Sequence, residues 1–236
     1  LLKKEMIDDG LSADLADDLT ARAALGGIIG AKLYWIIEYS SFSDTIDGLS
    51  NIIQGMFTLN LGKFIEGIQF IGSGLVFYGG LIGGMIAITI YLVKNNYNWF
   101  FIADWVAPYL ALGHSIGRIG CFLVGDDYGR TTTMWWGVAF PNGIPPTIDP
   151  VHPTQLFEMT IYFIIFLYLR NRRKHHTIAG SLMFKYLFLV GISRFSIEFI
   201  RVNDPVLFGY TGAQIVSLIM ILSATIFLYI NKISIK

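Results

Sequence analysis

The chain has 236 residues, of which 54% are hydrophobic, 15% aromatic and only 14% charged, and its mean hydropathy is +0.57. Soluble domains carry about a quarter charged residues, so the composition indicates an integral membrane protein. The formal net charge of zero leaves no basic field that would attract nucleic acid. A single cysteine, Cys121, excludes an internal disulfide and a Cys-rich metal or iron–sulfur site.

The first twenty residues are polar, contain no cleavable signal peptide and begin at a leucine, so we expect that an earlier segment is missing. Beyond them, six apolar stretches approach the length of about 20 residues that a helix needs to cross a bilayer. They lie at about 21–39, 72–93, 100–117, 154–169, 180–200 and 211–230. The sequence therefore predicts an all-α, polytopic transmembrane protein, with residues 1–236 forming a single membrane domain.

Glycine-rich runs in the first two stretches, at 26–30 and 79–84, predict faces where helices approach closely. Basic residues in the connections set the orientation. They concentrate near residues 3–4, 94, 170–174 and 232–236, whereas the other connections hold only Lys63, Arg130 and Arg201. The positive-inside rule then predicts that segment 1–20 is cytoplasmic and that loops 40–71 and 118–153 face outward. Five prolines make the second loop irregular, with a short hairpin near 136–140.

The most informative segment is 117–130, where Arg118, Asp126 and Asp127 lie among four glycines at the end of the third stretch. An ionisable residue at membrane depth is costly and usually faces a cavity. Glycines allow the backbone to leave a regular helix and approach a ligand. We therefore expect the helix to end near Gly117 and Arg118 to line a pocket for an anion.

Further polar residues collect at the predicted outer ends of other spans: His152 and Glu158 before or within the fourth, and Arg194, Glu198 and Arg201 at the end of the fifth. The last three are spaced four and three apart, so one helical face presents an arginine–carboxylate–arginine ladder. Arginine forms forked hydrogen bonds with phosphate oxygens, which suits a phospholipid headgroup. The alternative is a self-neutralising structural network, and Glu198 could serve both purposes by orienting an arginine.

These motifs resemble the prolipoprotein diacylglyceryl transferase family of bacterial membrane enzymes. The family pattern G-R-x-G-N-F-x-N-G-E-x-x-G corresponds to residues 117–129, His-Pro-x-Gln-Leu-Tyr-Glu to 152–158, and Arg-x-x-x-Glu-Phe-x-Arg to 194–201. Runs at 79–83 and 214–217 also match. The elements occur in order from about residue 20 to 225. The family has seven spans, so the resemblance implies that the first span, with a tyrosine used near the site, is missing here.

The resemblance implies transfer of a diacylglyceryl group from phosphatidylglycerol to the lipobox cysteine of a prolipoprotein signal peptide in the bacterial inner membrane, with release of glycerol phosphate. We expect no cofactor. Paired carboxylates such as Asp126 and Asp127 can bind a hard cation, but the sequence offers no further ligands at suitable spacing, so we expect no metal. Arg118 and Arg194 would hold the phosphate, and Glu198 would orient Arg194. The remaining headgroup-site residues would be Cys121, Asp126 in place of the family glutamate, Gly129 to permit a backbone turn, Gln155, Glu158 and Arg201.

Several positions depart from the family pattern. Tyr78 stands where the family has a histidine, Cys121 and Val124 replace asparagines, and Val190 replaces a tyrosine. A phenol with a pKa of about 10 is a weaker base at neutral pH than an imidazole at about 6.5, so Tyr78 and His152 are both candidates for the catalytic base. The departures leave two alternatives: a related lipid-headgroup transferase with a different acceptor, and a non-catalytic lipid-binding membrane protein or transporter.

Overall fold

A computed structural model describes residues 1–38, 42–58, 60, 62–63, 65–66, 76–173 and 178–233. Contacts divide the chain into two compact units, Leu1–Trp99 and Phe100–Lys236. The helices of the first part are α1 (Leu2–Asp8), α2 (Ala13–Glu38), α3 (Phe42–Phe57) and α4 (Phe77–Lys94). They are followed by α5 (Trp99–Val124), β1 (Val138–Phe140), β2 (Thr147–Val151), α6 (Thr154–Arg172), α7 (Ser181–Glu198) and α8 (Gly212–Ile233).

In the first unit, α2 and α4 pack through glycines so closely that their backbones touch. A Cβ on Gly30 would overlap the carbonyl oxygen of Gly79, and one on Gly83 would overlap that of Gly26. The predicted close-approach faces are therefore confirmed. Helix α2 begins at Ala13, ahead of the apolar stretch, because the Ser12 hydroxyl accepts the Leu15 backbone N–H at 3.2 Å and so caps the helix.

The core of the second unit lies between α5, α6 and α7. Its buried residues are Ala107, Ala111, Tyr162, Ile165, Phe166, Leu169, Leu182, Tyr186 and Val190. The fully buried carboxylate of Asp104 on α5 accepts the backbone N–H groups of Gly180 at 2.7 Å and Met183 at 2.8 Å. These donors have no partner within α7 because they belong to its first turn, so Asp104 ties α5 to the beginning of α7.

The third predicted span ends later than expected. Helix α5 continues through Arg118 and Cys121 to Val124, and a Cβ on Gly117 or Gly120 would meet nothing within 4 Å. The expectation that the backbone leaves the helix at Gly117 is therefore wrong. The helix ends at Gly125, whose φ of +73° is readily adopted by glycine.

The irregular loop thus begins at 125 rather than at 118. It contains the predicted hairpin: β1 pairs with β2 in antiparallel fashion, with Val138 opposite Val151 and Phe140 opposite Thr147. Apart from this hairpin and isolated bridges, the regular structure of the described residues is helical, as the all-α prediction expected. Among the described residues, one helix is long and apolar enough to cross a membrane. It is α8, whose segment Gly212–Asn231 has a mean hydropathy of 2.2.

Candidate functional site

Six charged residues of the second unit form one cluster, which we call the arginine cluster. It consists of Arg118, Asp127, Glu158, Arg194, Glu198 and Arg201. These residues come from the end of α5, the loop that follows it, the first turns of α6, the end of α7 and the connection just after α7. Three regions that are far apart in the sequence, at 118–127, 158 and 194–201, therefore meet in a network of three guanidiniums and three carboxylates.

Glu158 joins the two arginines that the sequence predicted as phosphate ligands. Its side chain is completely buried, with Oε2 2.8 Å from Arg118 Nε and Oε1 3.0 Å from Arg194 Nη1. One turn later on α6, the Tyr162 hydroxyl donates to Oε1 at 3.5 Å. A buried charge is tolerated when it is paired and hydrogen-bonded, so Glu158 fixes Arg118 of α5 and Arg194 of α7 relative to each other.

Glu198 holds Arg194 from the other side. Its Oε2 lies 3.0 Å from Arg194 Nη2, in the i,i+4 arrangement that the spacing predicted. Its Oε1 accepts hydrogen bonds from Thr211 Oγ1 at 2.8 Å and Asn203 Nδ2 at 2.6 Å. Thr211 and Asn203 belong to the connection between α7 and α8 and were not predicted as site residues. Glu198 therefore orients an arginine and also secures this connection.

Asp127 bridges the remaining arginines, a role that the sequence did not suggest. Its Oδ2 lies 2.7 Å from Arg118 Nη1, and its Oδ1 pairs with Arg201 Nη2. Burial acts to raise the pKa of Asp127, but the guanidiniums of Arg201 and Arg118 outweigh it and lower that pKa below its ordinary value. The aspartate is therefore ionised throughout the neutral range. Its backbone adopts a φ of +60°, two residues after the glycine that ends α5.

Asp126 and Gln155, both predicted headgroup ligands, contact each other through the backbone. Gln155 is fully buried, and its Nε2 donates to the Asp126 carbonyl oxygen. The Oδ1 of Asp126 and the Oε1 of Gln155 are buried and have no hydrogen-bond partner among the described residues. Carboxylate and amide oxygens left in this state favour a donor group from a ligand or water.

Gly129 is required for space rather than for an unusual backbone conformation. Its N–H donates to the His152 carbonyl oxygen at 2.8 Å, and a Cβ at this position would lie 2.6 Å from the Ile200 carbonyl oxygen. The positive φ that the predicted turn needs is supplied by Gly125. The role expected for Gly129 as a turn residue is thus corrected: it lets the loop approach the end of α7.

Cys121 and His152 lie beside the cluster, and each has a defined partner. Arg118 Nη1 donates to Cys121 Sγ at 3.6 Å, one turn along α5. The indole Nε1 of Trp136 donates to His152 Nδ1 at 3.2 Å. Since an indole N–H is only a donor, Nδ1 is the acceptor and a neutral His152 carries its proton on Nε2.

Tyr78 lies in the first turn of α4, and its side chain is outside the described residues. Its catalytic role therefore stays a prediction.

The arrangement suits an anion better than a metal ion. Arg118 and Arg194 are 19% and 22% exposed, so both guanidiniums remain accessible while their carboxylate partner Glu158 is buried. The side chains of Cys121, Asp126 and Asp127 bring possible ligand atoms within 4.8 Å of one another. A cation among them would lie next to the Arg118 guanidinium, whose charge opposes its binding.

Comparison with known proteins identifies the family. A sequence model of prolipoprotein diacylglyceryl transferases matches residues 1–230. The chain belongs to this family. It is 31% identical to phosphatidylglycerol–prolipoprotein diacylglyceryl transferase 2 of Clostridium perfringens, over 98% of this chain and 85% of that protein. It is 34% identical to a phosphatidylglycerol–prolipoprotein diacylglyceryl transferase of Coxiella burnetii, over 89% of this chain and 76% of that protein.

A corresponding enzyme of Clostridium tetani is 32% identical over 87% of this chain and 75% of its own length. These matches confirm the resemblance that the motifs at 117–129, 152–158 and 194–201 carried. They concern the family as a whole, so the roles of individual residues in the arginine cluster remain predictions.

Proposed function

We propose that this protein is a multi-pass enzyme of the bacterial inner membrane that transfers a diacylglyceryl group from phosphatidylglycerol to the lipobox cysteine of a prolipoprotein. Membership of the family supports the reaction, as do the names of the relatives from two Clostridium species. The observation that best supports a phosphate site is that Arg118 and Arg194 both pair with the buried carboxylate of Glu158. Two guanidiniums so held offer their remaining N–H groups to one phosphate.

In the proposed topology, six helices span the membrane and both ends of this chain lie in the cytoplasm. The spans are α2, α4, α5, α6, α7 and α8. Apolar side chains on α8 support this assignment, since Ile219, Leu222 and Ile226 are each more than half exposed, as expected for a face in contact with lipid. The loop that begins at Gly125 then faces outward, at the depth of phospholipid headgroups.

The reaction forms one bond and breaks one. The thiol of the acceptor loses its proton and attacks the glyceryl carbon that carries the phosphate, because the thiolate is the nucleophile. A carbon–sulfur bond forms, the carbon–oxygen bond breaks, and the electron pair leaves with the phosphate oxygen as glycerol phosphate. Negative charge grows on the leaving phosphate, so donors that are already in position stabilise the transition state. Arg118 and Arg194 supply those donors, while Glu158 and Glu198 hold them in place.

Two residues are proposed as proton carriers, His152 from its hydrogen bond and Tyr78 from the family pattern. His152 accepts from Trp136 at Nδ1, so its neutral ring presents an N–H at Nε2 and serves as a donor to the departing phosphate. Tyr78 stays the predicted base, and it can receive the thiol proton only in its phenolate form, because a neutral phenol is already protonated. The headgroup binds against Cys121, Asp126, Gly129, Gln155 and Arg201, with the unpaired oxygens of Asp126 and Gln155 available to the glycerol hydroxyls.

The test uses the purified protein in liposomes with labelled phosphatidylglycerol and a peptide that carries a lipobox cysteine. We expect a thioether-linked diacylglyceryl peptide, detected by mass spectrometry, and a loss of at least about a hundredfold in rate for Arg118→Ala or Arg194→Ala. Arg130→Ala is the matched control, because Arg130 is an exposed cation of the same loop. Its rate should equal that of the wild type.

Two other results would contradict the proposal in distinguishable ways. Consumption of phosphatidylglycerol without a thioether product would indicate a related transferase with a different acceptor. Binding of phosphatidylglycerol with no consumption, in wild-type protein that is correctly folded, would indicate a non-catalytic lipid-binding protein.

A further inference from the structure

We infer that the carboxylate of Asp127 takes the place of the lipid phosphate before the lipid binds. It keeps Arg118 and Arg201 in position, and it lowers the affinity for the headgroup because it must move away before the phosphate can bind. The inference rests on the proposed function of the arginine cluster as a phosphate site and adds a residue that determines its affinity. It concerns Asp127 and not Asp126, the residue to which the family pattern draws attention.

The geometry of Asp127 is that of a two-oxygen anion between two guanidiniums. One oxygen faces Arg118 Nη1 at 2.7 Å, and the other pairs with Arg201 Nη2. A phosphate also presents neighbouring oxygens to forked donors. Because Arg118 is one of the proposed phosphate ligands, its Nη1 cannot serve Asp127 and an entering phosphate equally well at the same time.

Asp127 is also the member of the cluster that is best able to move. Its side chain is 42% exposed, whereas those of Glu158 and Glu198 are completely buried. Its backbone is fixed independently of the carboxylate, since the carbonyl oxygen accepts from Arg201 Nη1 at 3.0 Å and from Thr154 Oγ1 at 2.7 Å. Rotation of the side chain toward solvent therefore exposes the guanidiniums without moving the loop.

The charge balance of the cluster explains why the position of the Asp127 side chain affects the affinity for phosphate. Three arginines face three carboxylates, so the cluster is neutral before any ligand binds. An entering phosphodiester brings one more negative charge and is repelled by Asp127 as long as that carboxylate keeps its position. Removal of the carboxylate leaves an uncompensated positive charge at the same place, which attracts phosphate.

The test measures phosphate binding as well as activity, with Asp127→Asn and Asp127→Ser in the full-length protein. Calorimetry with glycerol phosphate and with inorganic phosphate should give a Kd about five- to tenfold lower in both variants. The KM for phosphatidylglycerol should fall by a similar factor while kcat does not rise. Asp149→Asn removes an exposed aspartate from strand β2 of the same loop and should change neither value.

The phosphate-induced rise in Tm should likewise be larger in the two variants than in the wild type. This measurement also works if the substitutions lower the stability of the protein. Unchanged or weaker phosphate binding in both variants would overturn the inference, because it would mean that Asp127 only positions the arginines. These binding measurements do not need turnover, so failure of the inference is distinguishable from failure of the proposed reaction.

Discussion

The helix pair α2–α4 and the arginine cluster use opposite means to bring segments together. In the pair, glycines remove side chains so that backbone touches backbone, as at Gly30 and Gly79. In the cluster, long side chains reach across a space and meet through charges, as Arg118 and Arg194 do on Glu158. Close packing depends on shape and tolerates no added atom, whereas the charge network depends above all on its buried carboxylates, Glu158 and Glu198.

The largest expected effect is the loss of one partner from the charge network. Glu158→Leu should destabilise the protein by about 3–5 kcal/mol, because it removes a fully buried carboxylate and leaves the largely buried guanidiniums of Arg118 and Arg194 without their shared partner, and activity should be lost as well. Thermal or denaturant unfolding in detergent measures the change. Glu158→Gln is the matched variant that keeps the shape and removes the charge. If both variants unfolded like the wild type, Glu158 would not be the residue that holds the cluster together.

A smaller effect is expected from an added atom in the close-packed pair. Gly30→Ala should destabilise the protein by about 1–3 kcal/mol, because the new Cβ overlaps the backbone of α4 and forces the helices apart. Gly113→Ala is the matched control on α5, since its Cβ would meet nothing within 4 Å and alanine favours a helix more than glycine does. Equal unfolding temperatures for the two variants would mean that the contact between α2 and α4 does not depend on the absence of a Cβ at position 30.

The smallest effect should come from titration of the most exposed carboxylate in the cluster. The folded-state pKa of Asp127 is below its ordinary value, so its contribution to stability is present above about pH 4 and is lost as the pH falls through the folded pKa. The contribution should be under about 1 kcal/mol because the side chain is partly exposed. The free energies of unfolding of wild type and Asp127→Asn should differ at pH 6 and converge below pH 4. A difference that grows on acidification would contradict this sign.

Features with a local signature were predictable from the sequence. The spacing of Arg194 and Glu198 predicted their ion pair. The glycine runs predicted faces of close approach, and the structure shows that α2 and α4 use these faces against each other. The end of α5 was misplaced because Gly117 and Gly125 look alike in sequence, and only the φ of +73° at Gly125 distinguishes the residue at which the helix stops.

The partners of the cluster were harder to predict because they depend on tertiary contacts. Asp126 and Asp127 are adjacent and chemically identical, yet the turn after Gly125 directs only Asp127 toward Arg118 and Arg201. Likewise, nothing in the local sequence around Thr211 or Asn203 reports that both bind Glu198. The family pattern supplied the arginines and the pairing of Glu198 with Arg194, but it did not indicate that Glu158 and Asp127 would face Arg118.

Helix α7 is held by carboxylates of two other helices: Asp104 of α5 receives its first backbone N–H groups, and Glu158 of α6 pairs with Arg194 near its end. The rotational setting of the helix is therefore fixed twice. Each residue of a helix turns the chain by about 100°, so inserting a single residue between Met183 and Arg194 would swing the arginine away from Glu158 while Asp104 kept its hold. The length of α7 thus sets the direction in which Arg194 points within the arginine cluster, and we expect this helix to accept substitutions far more readily than insertions or deletions.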